Sequence, residues 1–233
     1  PVALMPLVEV VRSEQTSKVV FERAVAFVGK IGRFPLPVAS KSGFLVNRIL
    51  MPYLMEAMRL LEEGYSPKSI DKAALQFGMI MGPVTLADTV GLDILLHAGK
   101  KLTEAFGGSM PKRLEEMVSA GHLGKKSGRG FYEYDKKGKP VRQQVVSEST
   151  DMDLIADRLI LPMLNEGVAA LHEGVVKTSD DVDAGMIFGT GFAPFRGGPM
   201  AYAKTRGPAE IVQTLESFVK RFGDRFKPKA GWE

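Results

Sequence analysis

The chain contains one helical segment twice, and this repeat limits the fold more than any other feature of the sequence. Residues 43–64 place apolar side chains three and four positions apart, the spacing of an amphipathic helix, with charged residues toward the opposite face. Residues 157–174 repeat residues 47–64 at a separation of 110 positions (158 − 48). Both copies hold a proline inside the helix, Pro52 and Pro162, where the missing backbone N–H is unfavourable. The recurrence of this proline at the same point of both segments indicates an internal duplication.

A second pair of segments extends the duplication. Residues 82–91 and 198–207 share the frame G-P-x-x-x-A-x-T-x-G at a separation of 116 positions (198 − 82). Each copy then amounts to roughly a hundred residues, the size of a small domain. We expect a mainly α fold with two tandem duplicated helical domains, at residues 40–135 and 151–233, joined by a polar linker at 136–150.

Residues 1–39 have a different pattern. β-Branched residues and prolines predict strands over residues 1–11 and 34–39, with an amphipathic helix at 16–30 between them. Strand–helix–strand is the unit of a parallel α/β sheet, but one such βαβ unit is too little for a domain. We interpret residues 1–39 as the end of a Rossmann-type domain. Because the chain begins at Pro1 within an apolar run, we expect it to be a piece of a longer polypeptide.

The remaining elements follow from their start signals. Serine and proline residues predict helices at 66–77, 83–106 and 109–121. A glycine-rich turn with a short aromatic arm follows at 124–134, and residues 189–198 of the second copy are expected to form a rigid loop.

Composition argues against several functions. The chain has 233 residues, of which 45% are hydrophobic and 25% charged, as is typical of a globular protein. It has no cysteine and only three scattered histidines, so we expect neither a disulfide nor a metal site. A net charge of +4 without a basic stripe argues against nucleic acid, and no apolar run is long enough for a transmembrane segment.

Glu9 is the sharpest candidate site residue. A carboxylate between Val8 and Val10 is either exposed on an edge or buried beside a cationic or histidine partner, because an isolated buried charge is costly. Asn47 lies in the first turn of the 43–64 helix, where its amide is able to donate to a carbonyl oxygen or to make a local capping contact.

The glycine-rich turn is a weaker candidate. Lys125, Lys126 and Arg129 are able to receive a phosphate, but a solvated turn is the favoured interpretation. The glycines of this turn do not form a dinucleotide fingerprint, because no strand precedes them and no helix opens from them.

Several stretches together resemble one family and follow its order over nearly the whole chain. The matching stretches are residues 1–2 and 5–10, 43–48, 81–83 with Asp88, Gly91 and Asp93, 124–132, and 191–198. On these stretches the chain is similar to the C-terminal part of an NAD-dependent L-3-hydroxyacyl-CoA dehydrogenase. Within that family it is most like the multifunctional kind, the α-subunit of the fatty-acid oxidation complex.

The resemblance implies a site. In this family a histidine removes the proton of the 3-hydroxyl group as hydride leaves for the nicotinamide, and a glutamate orients that histidine. Glu9 matches this glutamate in the catalytic dyad, and Asn47 matches an asparagine that contacts the substrate near the reacting carbonyl. The histidine of the family pattern stands four positions before Pro1. Phe188 falls near a position where some relatives carry a substrate-contacting tyrosine, whose hydroxyl it lacks.

The resemblance also gives the duplication a reason. The helical domains would be of the 6-phosphogluconate-dehydrogenase C-terminal type. The second copy would replace a partner subunit, in an intramolecular pseudo-dimer beside the acyl-CoA substrate. The implied activity is oxidation of (S)-3-hydroxyacyl-CoA to 3-oxoacyl-CoA in fatty-acid β-oxidation. NAD would be bound by the family's N-terminal domain, so we expect this chain to be inactive alone. A bacterial cytoplasmic location is implied, with a peroxisomal or mitochondrial one left open.

Two other interpretations stay open. The chain could be a non-enzymatic helical dimerisation or docking module, for instance for a thiolase subunit, with Leu4, Phe21 or Phe34 in the interface. It could instead belong to another dehydrogenase with a helical C-terminal domain, of the 6-phosphogluconate or UDP-glucose type.

Overall fold

The computed structural model describes residues 5–141 and 151–232, and its elements are mainly helical. The predicted strand start at residues 1–4 and most of the predicted linker, residues 142–150, lie outside the described residues. Within the described residues, no helix combines the length and the apolar character that crossing a bilayer requires.

The first elements form a parallel strand–helix–strand unit, as the sequence predicts. β1 (Leu7–Arg12) pairs in parallel with β2 (Phe34–Ala39), and α1 (Lys18–Lys30) connects the two strands. The Ser17 hydroxyl oxygen accepts the N–H of Val20 at 3.3 Å and so caps α1, which begins two residues after the predicted start at Thr16.

The long repeated helices follow, each with shorter helices after it. The first copy contains α2 (Val46–Glu62), α3 (Pro67–Phe77), α4 (Pro83–Val90), α5 (Leu92–Phe106) and α6 (Lys112–Ser119). The second copy contains α7 (Met152–His172), α8 (Ser179–Thr190), α9 (Pro199–Arg206) and α10 (Pro208–Phe222).

The chain divides into two compact units. Unit 1 consists of Pro1–Leu50 and Leu161–Glu233, and unit 2 consists of Met51–Ile160. The division falls inside α2 and α7, so each unit contains parts of both sequence copies. The predicted domains follow the copies instead, and their boundaries stay a prediction.

A glycine ends each of the two long helices. After α2, Gly64 has a φ of 95° and the N–H of Tyr65 donates to the carbonyl of Leu60 at 3.0 Å. After α7, Gly174 has a φ of 71° and the N–H of the next residue donates in the same way at 2.9 Å. Both ends have the Schellman pattern, in which glycine takes the left-handed conformation.

The prediction of one helix over residues 83–106 is wrong. Gly91, with a φ of 107°, separates α4 from α5, and the N–H of Leu92 donates to the carbonyl of Leu123 at 3.2 Å. Gly207, with a φ of 98°, separates α9 from α10 in the second copy. Apolar periodicity continues through Gly91, whereas the backbone turns there, so periodicity alone missed this break.

Both copies use an aspartate of one helix to bind the N-terminus of a later helix. In unit 2 the Asp71 carboxylate accepts the N–H of Val84, in α4, at 2.8 Å. In unit 1 the Asp183 carboxylate accepts the N–H of Met200, in α9, at 2.6 Å. Glycine precedes the proline at the start of α4 and α9 because a Cβ there would overlap the aspartate side chain. The sequence analysis missed both aspartates, since their partners lie more than one helix turn away.

α8 packs closely on the two strands of unit 1. A Cβ at Gly185 would lie 3.0 Å from the Leu36 side chain, and a Cβ at Gly189 would lie 3.1 Å from the Leu7 side chain. These two glycines, four residues apart, therefore allow one face of α8 to approach the sheet. By contrast, Phe27 of α1 is 61% exposed. Other apolar side chains of that helix are exposed to a similar extent.

Candidate functional site

Glu9 lies in the middle of β1 and binds the N-terminus of α2. Its Oε1 accepts the N–H of Leu45 at 2.8 Å and the N–H of Val46 at 3.3 Å. Burial raises the pKa of the Glu9 carboxyl, and these two hydrogen bonds oppose part of the rise. Two backbone N–H groups thus offset part of the cost of burying the Glu9 carboxylate. Glu9 is therefore neither a free edge residue nor a simple ion-pair partner.

The chain before α2 is shaped for this contact. Gly43 has a φ of 74° and Phe44 a φ of 48°, so the backbone turns just before the helix begins at Val46. The first N–H groups of a helix lack intrahelical acceptors and carry partial positive charge, which suits a carboxylate. The predicted start at Gly43 is thus three residues early, since those residues form the turn that presents the N–H groups to Glu9.

The structure places the other predicted site residues near this contact. Asn47 follows Val46 in the first turn of α2 and is exposed. Phe188, in α8, is 46% exposed and its ring lies 5.3 Å from the ring of Phe34, centroid to centroid. A Cβ on Gly189, the residue after Phe188, would lie 3.0 Å from the Val46 side chain. Val46, the residue before Asn47, thus donates to Glu9 and also lies beside Gly189, the residue after Phe188.

The lysine-rich turn behaves as the favoured interpretation expects. The Lys126 ammonium binds both carboxylate oxygens of Asp93, at 2.5 Å and 2.7 Å, and lowers the pKa of that carboxyl. Arg129 lies 4.0 Å from Glu133, and both side chains are more than half exposed. In this solvated turn, two of the three cations, Lys126 and Arg129, thus lie beside neighbouring carboxylates.

The glycines of the same turn enclose a buried aspartate in unit 2. Asp88 is fully buried, and its carboxylate accepts the N–H of Phe131 at 3.0 Å, the N–H of Tyr132 at 2.9 Å and the hydroxyl of Tyr134 at 2.9 Å. A Cβ at Gly124 or at Gly130 would overlap Asp88. The motif at 124–132 therefore serves to bind a buried carboxylate, a structural role that the sequence analysis did not identify.

We expect the free energy of unfolding to fall as the pH rises above about 10, the ordinary pKa of tyrosine. Burial, followed by the charge of Asp71, raises the pKa of Tyr132, while burial and then Asp88 raise that of Tyr134. The folded chain thus keeps phenolic protons that the unfolded chain releases, so this stability is complete below the unfolded pKa and is lost at higher pH. Urea unfolding from about pH 8 to 11 measures the slope, which Tyr134→Phe should reduce. A flat profile for the parent chain would contradict the expectation.

Two arginines that the helical pattern places on the charged face are buried instead. In unit 1 the Arg48 guanidinium donates to Glu166 at 2.6 Å and to Glu173 at 2.8 Å. In unit 2 the Arg158 guanidinium donates to Glu56 at 2.8 Å and also binds Glu63. Each arginine of one copy therefore binds the two glutamates of the other copy. The repeat spacing of 110 relates the two clusters residue by residue (158 − 48, 166 − 56 and 173 − 63).

Asn165 of α7 holds the C-terminal segment of the chain. Its amide donates to the carbonyl of Lys227 at 2.9 Å, and its oxygen accepts the N–H of Lys229 at 2.8 Å and the indole N–H of Trp232 at 2.9 Å. The corresponding position of the first copy, 110 residues earlier, is Met55. This polar anchor thus belongs to the second copy alone.

We expect Asn165→Met to release the C-terminal segment, because three hydrogen bonds to a buried side chain are lost together. The free energy of unfolding should fall by about 1–3 kcal/mol, the cost of unsatisfied buried partners. Trp232 is the only tryptophan of the chain, so a red shift of its emission reports the release. Asn47→Met makes the same change at an exposed asparagine and should leave the emission unaltered. Unchanged emission in Asn165→Met would contradict the anchoring role.

The described residues show neither a cluster of metal ligands nor, between β1 and α1, the phosphate-binding turn of a Rossmann unit. Among them, no three His, Asp or Glu side chains are grouped so as to hold a metal ion. The turn between β1 and α1, residues 13–17, contains no glycine, which the phosphate-binding turn of a Rossmann unit requires. Residues 13–17 therefore do not fit the pyrophosphate of NAD.

Comparison with known proteins places the whole chain in one family. Residues 43–134 match the family described as 3-hydroxyacyl-CoA dehydrogenase, C-terminal domain. Residues 1–41 match the family described as 3-hydroxyacyl-CoA dehydrogenase, NAD binding domain. The fatty acid oxidation complex subunit alpha of Shewanella baltica is 41% identical over an alignment of 242 positions, which covers 98% of this chain and 34% of that protein. The subunit alpha of Vibrio campbellii is likewise 41% identical over an alignment of 243 positions, which covers 99% of this chain and 34% of that protein.

Solved structures agree with the sequence matches. The 3-hydroxybutyryl-CoA dehydrogenase of Escherichia coli has a TM-score of 0.81 at 25% identity, over 99% of this chain and 67% of that one. The dehydrogenase part of multifunctional enzyme 1 from C. elegans has a TM-score of 0.71 at 26% identity, over 98% of this chain and 56% of its own. The chain spans about a third of the length of the curated relatives that it matches. Two adjoining domain matches and these relatives together show that the chain belongs to the 3-hydroxyacyl-CoA dehydrogenase family.

Proposed function

We propose that this chain supplies the substrate side of an NAD-dependent dehydrogenase that oxidises (S)-3-hydroxyacyl-CoA to 3-oxoacyl-CoA in fatty-acid β-oxidation. The observation that carries the proposal is the contact between Glu9 and the N-terminus of α2, with Asn47 in the same helix turn. A partly buried carboxylate and an exposed amide are thus held on rigid elements a few residues apart.

Glu9 is a positioning residue in this proposal. Both backbone hydrogen bonds end on Oε1, so the orientation of the carboxyl group is set by β1 and α2. Its raised pKa shows that the ionised form is costly at this place, and an adjacent cation would offset that cost. The family's histidine becomes such a cation when it takes the substrate's hydroxyl proton, and Glu9 would orient its ring and stabilise its charge.

Asn47 and Phe188 would contact the substrate. The exposed amide of Asn47 offers an N–H donor for the carbonyl that forms at C3. The rings of Phe188 and Phe34 are both partly exposed and offer an apolar wall without a hydroxyl. NAD, when bound by the family's nucleotide-binding domain, would accept the hydride.

The reciprocal ionic clusters support the intramolecular pseudo-dimer. In a symmetric dimer a residue of one subunit binds a residue of the other, and the reverse pair forms as well. Arg48 with Glu166 and Arg158 with Glu56 follow this rule between the two copies of one chain. We therefore propose that the second copy occupies the place of a partner subunit.

The relatives' names also suggest an assembly. They are described as subunit alpha of a fatty acid oxidation complex, so we propose that the protein binds a second subunit, of thiolase type, in a bacterial cytoplasm. Unit 2 exposes apolar side chains that would suit such an interface, namely Leu75, Ile80, Val90 and Ile94. Co-elution of purified thiolase subunit with the protein in size-exclusion chromatography tests this proposal.

Reduction of acetoacetyl-CoA, followed as NADH oxidation, tests the activity. The assay compares this chain with the full translation product of its gene. Turnover by the full product, with none by this chain alone, is the expected result. If the full product is inert toward hydroxyacyl-CoA and 3-oxoacyl-CoA substrates, the docking-module interpretation is favoured instead.

A further inference from the structure

Unit 1 has a surface cleft whose lining residues have no role in the proposed dehydrogenase site. It lies between the short 3-10 turn Pro194–Arg196 and α9 and has a volume of about 480 Å³, within the range of small-molecule sites. Its lining combines two cations with two aromatic rings and a hydroxyl: Phe195, Arg196, Tyr202, Thr205 and Arg206.

The side chains of the cleft are arranged around the Arg196 guanidinium. Its carbon lies 5.2 Å from the ring centroid of Phe195 and 5.0 Å from that of Tyr202, so the cation is held by two rings. Arg206 binds Glu210 at 3.0 Å across one turn of helix. Phe195 is 74% exposed, so most of its apolar ring faces solvent beside the two guanidinium groups.

The first copy shows that the fold does not need these residues. At the separation of 116 positions, Arg196 corresponds to Ile80 and Arg206 corresponds to Val90. Tyr202 corresponds to Leu86 in the same frame. Both copies build a helix from this frame, α4 in one and α9 in the other. The cationic and phenolic side chains are therefore specific to the second copy rather than a requirement of the helix.

We propose that this cleft binds a nucleoside phosphate. Guanidinium groups donate planar pairs of hydrogen bonds that match phosphate oxygens, and the exposed face of Phe195 is suited to stack on a base. Adenosine phosphates occur both in coenzyme A thioesters and in dinucleotides, and both sources share this chemistry. Binding here needs no reacting centre, so it is measured without turnover by the dehydrogenase proposed above.

Isothermal titration of the full 233-residue chain with adenosine 3′,5′-bisphosphate, NAD and inorganic phosphate tests the proposal. Tighter binding of the bisphosphate would identify coenzyme A thioesters as the source of the bound adenosine phosphate. Tighter binding of NAD would identify a dinucleotide as that source. Inorganic phosphate should bind more weakly than either, because it lacks the ring. No nucleotide binding, or equal affinity for inorganic phosphate, would overturn the proposal.

Substitutions to the residues of the first copy show where a nucleotide binds. Arg196→Ile and Arg206→Val should each weaken nucleotide binding by about tenfold or more, the loss expected for a hydrogen bond to a charged group. Arg221→Ile removes an arginine that also stacks on a ring, at 4.8 Å from Phe222, but lies outside the cleft lining, and should leave affinity unchanged. Parent-like affinity in the Arg196→Ile/Arg206→Val double variant would overturn the assignment.

Discussion

Replacing Glu9 by glutamine should lower kcat for acetoacetyl-CoA reduction by about two to four orders of magnitude, the usual contribution of assisted proton transfer. The amide keeps an oxygen that accepts the N–H groups of Leu45 and Val46, so the start of α2 should remain in place. The substitution removes the negative charge that would stabilise a protonated histidine. The loss should therefore appear in kcat more than in KM, because the substrate is still bound.

The design of this test separates charge from structure. The assay uses the full translation product of the gene. Reduction of acetoacetyl-CoA is followed through the oxidation of NADH. Glu9→Ala removes the hydrogen-bond acceptor as well, so it should lower both kcat and the free energy of unfolding, the latter by about 1–2 kcal/mol. Glu14→Gln makes the same change as Glu9→Gln at an exposed position near β1 and should behave as the parent protein. If Glu9→Gln keeps full activity, Glu9 has only a capping role and the proposed dyad is wrong.

The second large effect is on stability. Arg158→Met should lower the free energy of unfolding by about 3–5 kcal/mol, the cost of removing one partner from a buried ion pair. Arg158 is fully buried, and Glu56 is only 2% exposed, so the remaining carboxylate would stay far from water without its main counter-charge. Urea unfolding followed by circular dichroism measures the change.

A double variant shows the cause of that loss. Adding Glu56→Gln to Arg158→Met removes the buried charge, so a substantial part of the lost stability should return. Lys126→Met breaks the exposed ion pair with Asp93 and should change the stability little. If Arg158→Met unfolds at the same urea concentration as the parent chain, the cluster does not stabilise unit 2.

Local patterns predicted most of the elements of this fold. The parallel unit of β1 and β2, the two long helices and their glycine caps each depend on a few neighbouring residues. Hydrophobic periodicity and cap residues are local signals, so they predict such elements directly. The break at Gly91 was missed because the residues on both sides continue the same apolar pattern, while the turn depends on a contact with Leu123.

The duplication, the mainly α class and the stretches that identify the family can all be recognised without a structure. The roles of the polar residues depend instead on contacts between distant segments. Arg48 lies on a charged helix face by pattern, yet carboxylates more than a hundred positions away allow it to be buried. Glu9 binds a helix N-terminus 36 residues later, and Asp88 binds a turn 43 residues later. A charged side chain is stable in the interior only beside compensating donors or charges, and those partners come together only when distant segments pack.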